Sequence, residues 1–290
     1  MTDATQFPFP KSSTSQIPMQ VICLHGHPGN GAAFTDLVAF LKAKGIMALA
    51  PDLRGYGNFR VKTPFQMTDH VEDIWQLLQQ DRQQHYVLVG WSLGGIISME
   101  LAWRYLATPA DLRPQISGLV LIGTAAHPVR DLPPLTWGDY GNTLLAILLH
   151  WLLPYGTQWH IRHIGKRSLL RYLIQHHAPA VYQKLATLGT KAVRQTSRYA
   201  TNALSQAIRE GYNRNQDLGK IDLPCLVLTG IHDRHISSPA SQETAQLLPN
   251  SQLHCYPDAA HLLPWEQPER LHYDVYTWLM EQISSSLITG

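Results

Sequence analysis

Short apolar runs with little polar alternation punctuate the chain. MQVICLHG (19–26), IMALAPD (46–52), HYVLVG (85–90), ISGLVLIGT (116–124), PCLVLTG (224–230) and SQLHCY (251–256) each read as a strand. Runs of Val, Ile and Leu of this kind mark strands covered on both faces. The pattern therefore predicts a mostly parallel sheet of about six strands with right-handed crossovers. Between the strands the apolar positions shift to helical spacing. Phe34, Leu37, Val38 and Leu41 share one face of 32–45, which closes on Gly45, a residue suited to a helix C-cap. The stretch 69–80 opens on acidic residues, which the helix dipole favours. Further helices are expected from the residues after Gly90 to about Leu106, near 240–248 and over 265–283. This alternation is that of an α/β protein with helices flanking the sheet.

The rhythm breaks between 128 and 217, where LLAILLHWLLP (144–154) and later helical patterns follow one another without a strand. The expected organisation is a core of 19–127 and 218–290, a helical cap inserted at 128–217, and an N-terminal extension over 1–18. The first half of the insertion carries Trp137, Tyr140, Trp151, Tyr155 and Trp159. Such aromatics pack in a core or against a pocket mouth, and they lead us to expect an apolar acyl or aromatic pocket.

Charge changes this picture locally. The whole chain is nearly neutral, with 23 Lys and Arg against 21 Asp and Glu, which gives no reason to expect a nucleic-acid partner. The stretch 128–220, however, holds twelve basic residues against four acidic ones. An apolar helix beside the basic HIRHIGKRSLLR is expected to be a buried cap helix with a solvated neighbour. A weak contact of the cap with a membrane surface is the alternative. No apolar run reaches bilayer-spanning length, and MTDATQFPFPKSSTSQIP lacks a signal-peptide core. Cys23, Cys225 and Cys255 lie in strand-like runs without CxxC spacing. Reduced structural thiols in a cytoplasmic protein are expected. The oligomeric state stays open.

The candidate chemistry starts in HYVLVGWSLGGIISMELAW (85–103), where Gly90, Gly94 and Gly95 surround Ser92 at a strand-to-helix seam. A turn this tight strains the serine into φ > 0 and projects its hydroxyl outward. Side chains at Gly90 and Gly94 would collide, and Gly95 lets the helix approach the sheet. A serine nucleophile needs a base and a group that orients it. His261 in the loop after the last strand and Asp233 after the strand before it supply both, at the sheet edge where open α/β sheets bind ligands. Asp131, after the strand ending near Thr124, is the alternative acid. His25 is expected to shape the turn after the first strand, and His235 either lines the pocket or faces solvent.

The order Ser92, Asp233, His261 resembles that of the α/β-hydrolases. LHGHPGNGAAF (24–34) resembles the family's HGxPG loop, PDLRGYGNF (51–59) its D-x-R-G-x-G loop, and HLLPWEQPE (261–269) its H-x4-E-x-P ending. The resemblance covers about 19–127 and 218–283. It implies an oxyanion hole made by the backbone N–H groups of His27 and Leu93, with Gly26 in the loop. It also implies a serine esterase that forms an acyl-enzyme on a small-molecule substrate. Members usually begin with a β-hairpin, and only eighteen residues precede the first strand here, so a reduced N-terminal hairpin is expected. Carbon–carbon bond hydrolysis or a menaquinone-pathway-like lyase, with Arg54, Arg162 or Arg234 facing a carboxylate, is an alternative. A ligand-binding receptor or scaffold on the same fold is another. His160 with His163, His176 with His177, and His232 with His235 lack a second ligand cluster. Neither a metal nor a cofactor is expected.

Overall fold

The computed structural model describes residues 19–152 and 164–284. Six strands form one sheet: β1 (Met19–Leu24), β2 (Met47–Leu49), β3 (His85–Trp91), β4 (Gln115–Ile122), β5 (Cys225–Gly230) and β6 (Ser251–Tyr256). Their spatial order is β2-β1-β3-β4-β5-β6, and every neighbouring pair is parallel. All six expected strands are present.

The absence of alternation in the strands has its reason in the core. Successive side chains of a strand point to opposite faces, and here both faces are covered. Val87, Val89 and Trp91 of β3 join Met19, Val21 and Cys23 against α1 (Thr35–Ala43) and the C-terminal helix Pro268–Trp278. Tyr86 and Leu88 join Ile22 and Leu24 against α2 (Met67–Leu78) and α3 (Leu93–Ala107). Only the edge strand β6 leaves Gln252 and Leu253 exposed.

From β1 the chain passes through α1 to β2 on one side, then returns through α2 to β3 on the other side of β1. The β1/β3 junction is thus a switch point, where loops leave in opposite directions and open a crevice at the strands' C-terminal ends. Because all strands are parallel, the loops after β1, β3, β4, β5 and β6 all emerge at this one edge.

Between β4 and β5 the described residues form α4 (Trp137–Leu152), two 3-10 turns within 165–172, a helical stretch from Pro179 to Gln195 interrupted by a π turn, the helix Arg198–Arg209 and a third 3-10 turn at Leu218–Lys220. No described helix is long and apolar enough to cross a membrane. Cys23 and Cys225 are buried and Cys255 is half-buried, all unpaired. Burial pushes the Cys225 thiol up to about 12.

Candidate active site

A single residue, Ser92, separates β3 from α3. Its φ of 54° is the only positive φ on a non-glycine residue among those described. The strain is held in place from both sides of the serine. Ser92 N–H donates to the Ile122 carbonyl at 2.9 Å, and the Thr124 hydroxyl donates to the Ser92 carbonyl at 2.8 Å. Each neighbouring glycine clears a different obstacle. A Cβ on Gly90 would lie 2.4 Å from the Gly94 carbonyl oxygen, one on Gly94 1.9 Å from that of Leu24, and one on Gly95 2.2 Å from Thr124 Cγ2. The elbow therefore needs glycine for its own turn, for contact with β1 and for contact with the end of β4.

Across the switch point Gly26 comes against the serine; a Cβ there would lie 3.2 Å from Ser92 Cβ. His27 follows in the same loop. Leu93 opens α3, where a backbone N–H has no acceptor within the helix.

The loops after β5 and β6 bring Asp233 and His261 together. His261 Nδ1 lies 2.8 Å from Asp233 Oδ2. The other carboxylate oxygen accepts the N–H groups of His235 at 2.9 Å and Ile236 at 3.0 Å. Ser92, Asp233 and His261 are all buried. The Trp91 indole donates to the His261 carbonyl at 3.0 Å, which couples the residue before the serine to the histidine loop. Asp131 stands apart: its carboxylate is exposed and lies 3.6 Å from Arg234. His235 stacks obliquely on His261 at 4.6 Å between ring centroids.

Gly123 carried no recognisable role in the sequence, and Asp52 and Glu266 stood in motifs that did not say what they bind. Gly123, at φ 50°, faces the acid–imidazole pair; a Cβ there would sit 3.4 Å from Asp233 Oδ2 and 3.6 Å from His261 Nδ1. Asp52 accepts the Gly31 and Asn58 N–H groups, one on each oxygen, both at 2.8 Å. It thereby ties the loop after β1 to the loop after β2. His25 joins the same loops, as expected of a turn-shaping residue. Its Nδ1 lies 2.8 Å from the Gly26 carbonyl, and its Nε2 accepts from Leu53 N–H at 3.1 Å. Glu266, the acid of the H-x4-E-x-P ending, is buried and accepts N–H groups from Ala260, Gln175 and His176. With Leu262 N–H bonded to the Leu173 carbonyl at 3.0 Å, it fastens the histidine loop to the segment between β4 and β5. The only sequence signal for these contacts is the motifs around them, because the partners are far apart along the chain.

Three histidines near the site are held neutral. Burial lowers His25 to about 4. Burial, then the nearby charges of His25, Arg54 and His27, lowers His70 to about 3. Burial, followed by His261, Arg130 and His27, lowers His235 to about 2. Neither ring nitrogen of His70 has a hydrogen-bond partner among the described residues. All three folded-state values lie below 6.5, so the unfolded chain takes up protons first as pH falls. Stability present above pH 6.5 is therefore lost as pH drops toward 4, by about 1.4 kcal/mol per pH unit for each such group. The melting temperature should fall accordingly over this range. His70→Phe should shallow that slope; an unchanged slope would remove His70 from the account.

Other expectations meet different outcomes. Arg54 does not face the site: it makes a bidentate pair with Asp73 through Nε at 2.7 Å and a second nitrogen. Arg234 is engaged by Asp131. Trp137 and Tyr140 lie exposed instead of packing inward, because they occupy the outer side of the first turns of α4. Leu144, Leu145 and Leu148 of that helix are exposed as well, so this face is not the buried cap helix expected. Tyr155, Trp159, His160, Arg162 and His163 lie outside the described residues, as does the N-terminal stretch 1–18; the Trp151 side chain is likewise not described. A cleft of about 410 Å³ between α2, α3 and Arg198–Arg209, lined by Met67, Val71, Ile97, Ala203 and Tyr212, contains none of Ser92, Asp233 and His261. Among the described residues no group of three or more His, Cys, Asp or Glu is placed to hold a metal.

A family model described as alpha/beta hydrolase fold matches residues 20–268. An uncharacterized hydrolase of Bacillus subtilis, YugF, is 24% identical over 256 residues, covering 86% of this chain and 85% of the relative. An esterase from Exiguobacterium antarcticum shares the fold with a TM-score of 0.68 at 20% identity, over 91% of this chain and 92% of that one. An esterase from Thermogutta terrifontis does so with a TM-score of 0.64 at 22% identity, over 91% and 90%.

Proposed function

The chain belongs to the alpha/beta hydrolase fold family, and from that premise we propose that it is a serine hydrolase that cleaves a carboxylic ester. In this reading Ser92 Oγ attacks the ester carbonyl while His261 takes its proton. Asp233 holds the imidazole with Nδ1 toward its own carboxylate and stabilises the imidazolium. The backbone N–H groups of His27 and Leu93 receive the negative charge that develops on the carbonyl oxygen, without reorganising at that moment. His261 then passes the proton to the departing alcohol. Water, activated by the same imidazole, releases the acyl group from Ser92.

The observation that carries this reading is the buried Asp233–His261 pair at 2.8 Å, on the same sheet edge as a serine strained to φ 54°. The substrate in this reading is an ester with an apolar acyl or aromatic part; Trp91 and Trp265, whose rings meet edge to face at 5.5 Å, belong to the core beneath the histidine loop. In the same reading, the helical segment 128–217 is the cap over this edge.

Two measurements test the proposal together. Purified protein should turn over p-nitrophenyl esters in a series from acetate to palmitate, and the chain-length optimum would size the acyl pocket. A fluorophosphonate probe should label one peptide, the one containing Ser92. Absence of both turnover and labelling would overturn the serine mechanism and leave the fold as it stands.

A further inference from the structure

Arg130 drew no attention in the sequence, yet the fold carries it to the rim of the site. The stretch 129–131 runs alongside the loop that holds Asp233. Ser237 N–H donates to the Val129 carbonyl at 2.8 Å, and Asp131 N–H donates to the Arg234 carbonyl at 3.0 Å. Arg234 Nε donates back to the Asp131 carbonyl at 2.8 Å. Arg130 is therefore pinned between two tethers to the loop that presents His235 to His261.

Its side chain is exposed, and among the described residues no carboxylate pairs with it. The neighbouring Asp131 turns to Arg234 instead. On the opposite side of Ser92, His27 feels the same guanidinium. Burial first, and then the charge of Arg130, lowers its pKa, as both also do for His235. The tethers thus hold Arg130 beside the loop after β5, at the edge where Asp233 and His261 meet, and its charge acts on imidazoles of that loop and of the loop after β1. These histidines are neutral at physiological pH, so they add hydrogen-bonding capacity but no competing anion.

The geometry points to Arg130 as a specificity residue that binds a carboxylate carried by the ester substrate. This rests on the ester-hydrolase reading above and narrows it to esters that carry a carboxylate in addition to their apolar part. An arginine fork matches a carboxylate in two parallel hydrogen bonds, and an unpaired guanidinium at the mouth would also draw anionic substrates in. The carboxylate could belong to the acyl part or to the alcohol part, and the two sources are separable by experiment.

The test compares kcat/KM for monomethyl adipate, with the charge on the acyl side, and O-butyryl glycolate, with it on the alcohol side. Methyl hexanoate and methyl butyrate serve as neutral partners, with product release followed directly. The expected result is at least one charged ester preferred over its neutral partner. That anionic-to-neutral ratio should fall about tenfold in Arg130→Gln and partly recover in Arg130→Lys. Raising the ionic strength should raise KM for the preferred charged ester more than for its neutral partner, as screening of a charge pair requires. A ratio that Arg130→Gln leaves unchanged, with neutral esters still cleaved, overturns this inference alone. No cleavage of any ester by the native protein overturns the hydrolase reading and this inference with it. Since Arg130 is exposed, thermal unfolding of the variants should match the parent and separate a specificity effect from misfolding.

Discussion

In Ser92→Ala, ester turnover is expected to fall by about 10⁴-fold or more, with the fold retained. The two halves of this expectation have different physical origins. The loss follows because the hydroxyl is the only protein group in the proposed mechanism that forms a bond to the acyl carbon. The retention follows because what holds the elbow is backbone and glycine. Ser92 N–H still meets the Ile122 carbonyl, Thr124 still reaches the Ser92 carbonyl, and alanine at φ 54° bears much the same backbone strain as serine. Residual activity above the background rate would come from the backbone oxyanion donors, which the substitution leaves in place. Steady-state rates on the best p-nitrophenyl ester, beside a thermal unfolding curve, check both halves. A variant that keeps full activity would require a different nucleophile.

The second large effect is expected at the acid. Asp233→Asn should lower kcat by about 10⁴-fold, whereas Asp131→Asn should change it less than twofold. Asp233 Oδ1 already accepts two backbone N–H groups, so an asparagine there must keep its oxygen on that side. Its NH₂ would then face His261 Nδ1 and force the opposite tautomer, placing the proton where Ser92 needs an acceptor. Asp131 lies on an exposed loop, engaged with Arg234, and offers no such coupling. If Asp131→Asn proved the costly substitution, the roles of the two acids would have to be exchanged.

The strands were legible because burial on both faces writes itself as unbroken apolar runs. For the same reason Cys23 and Cys225 read as core residues. The elbow was legible because G-W-S-L-G sits at a change of periodicity, and Asp233 and His261 because parallel strands send their following loops to one edge. What stayed hidden is contact between residues distant in sequence. Nothing local distinguishes Arg54, absorbed by Asp73 nineteen residues on, from Arg130, which lacks such a partner among the described residues. Glu266 stood in a recognised motif, but its three backbone donors come from two separate stretches of chain. The outward-facing Trp137 and Tyr140 show the reverse error. Aromatic content predicts burial on average, yet which side of a helix meets the protein depends on how that helix docks.

The Glu266 knot also bears on how this chain can diverge. The segment between β4 and β5 is tied to the sheet edge at 129–131 by the loop after β5, and again from Leu173 onward by the histidine loop. Between those anchor points lies a stretch that includes α4, and lengthening a connection between fixed ends costs little entropy. Insertions and deletions there leave Ser92, Asp233 and His261 where they are, so substrate range can drift while the chemistry stays put. The same residues added after Leu173 would pull on the peptide that carries the histidine. Variation in descendants of this sequence should therefore gather on the α4 side of the segment.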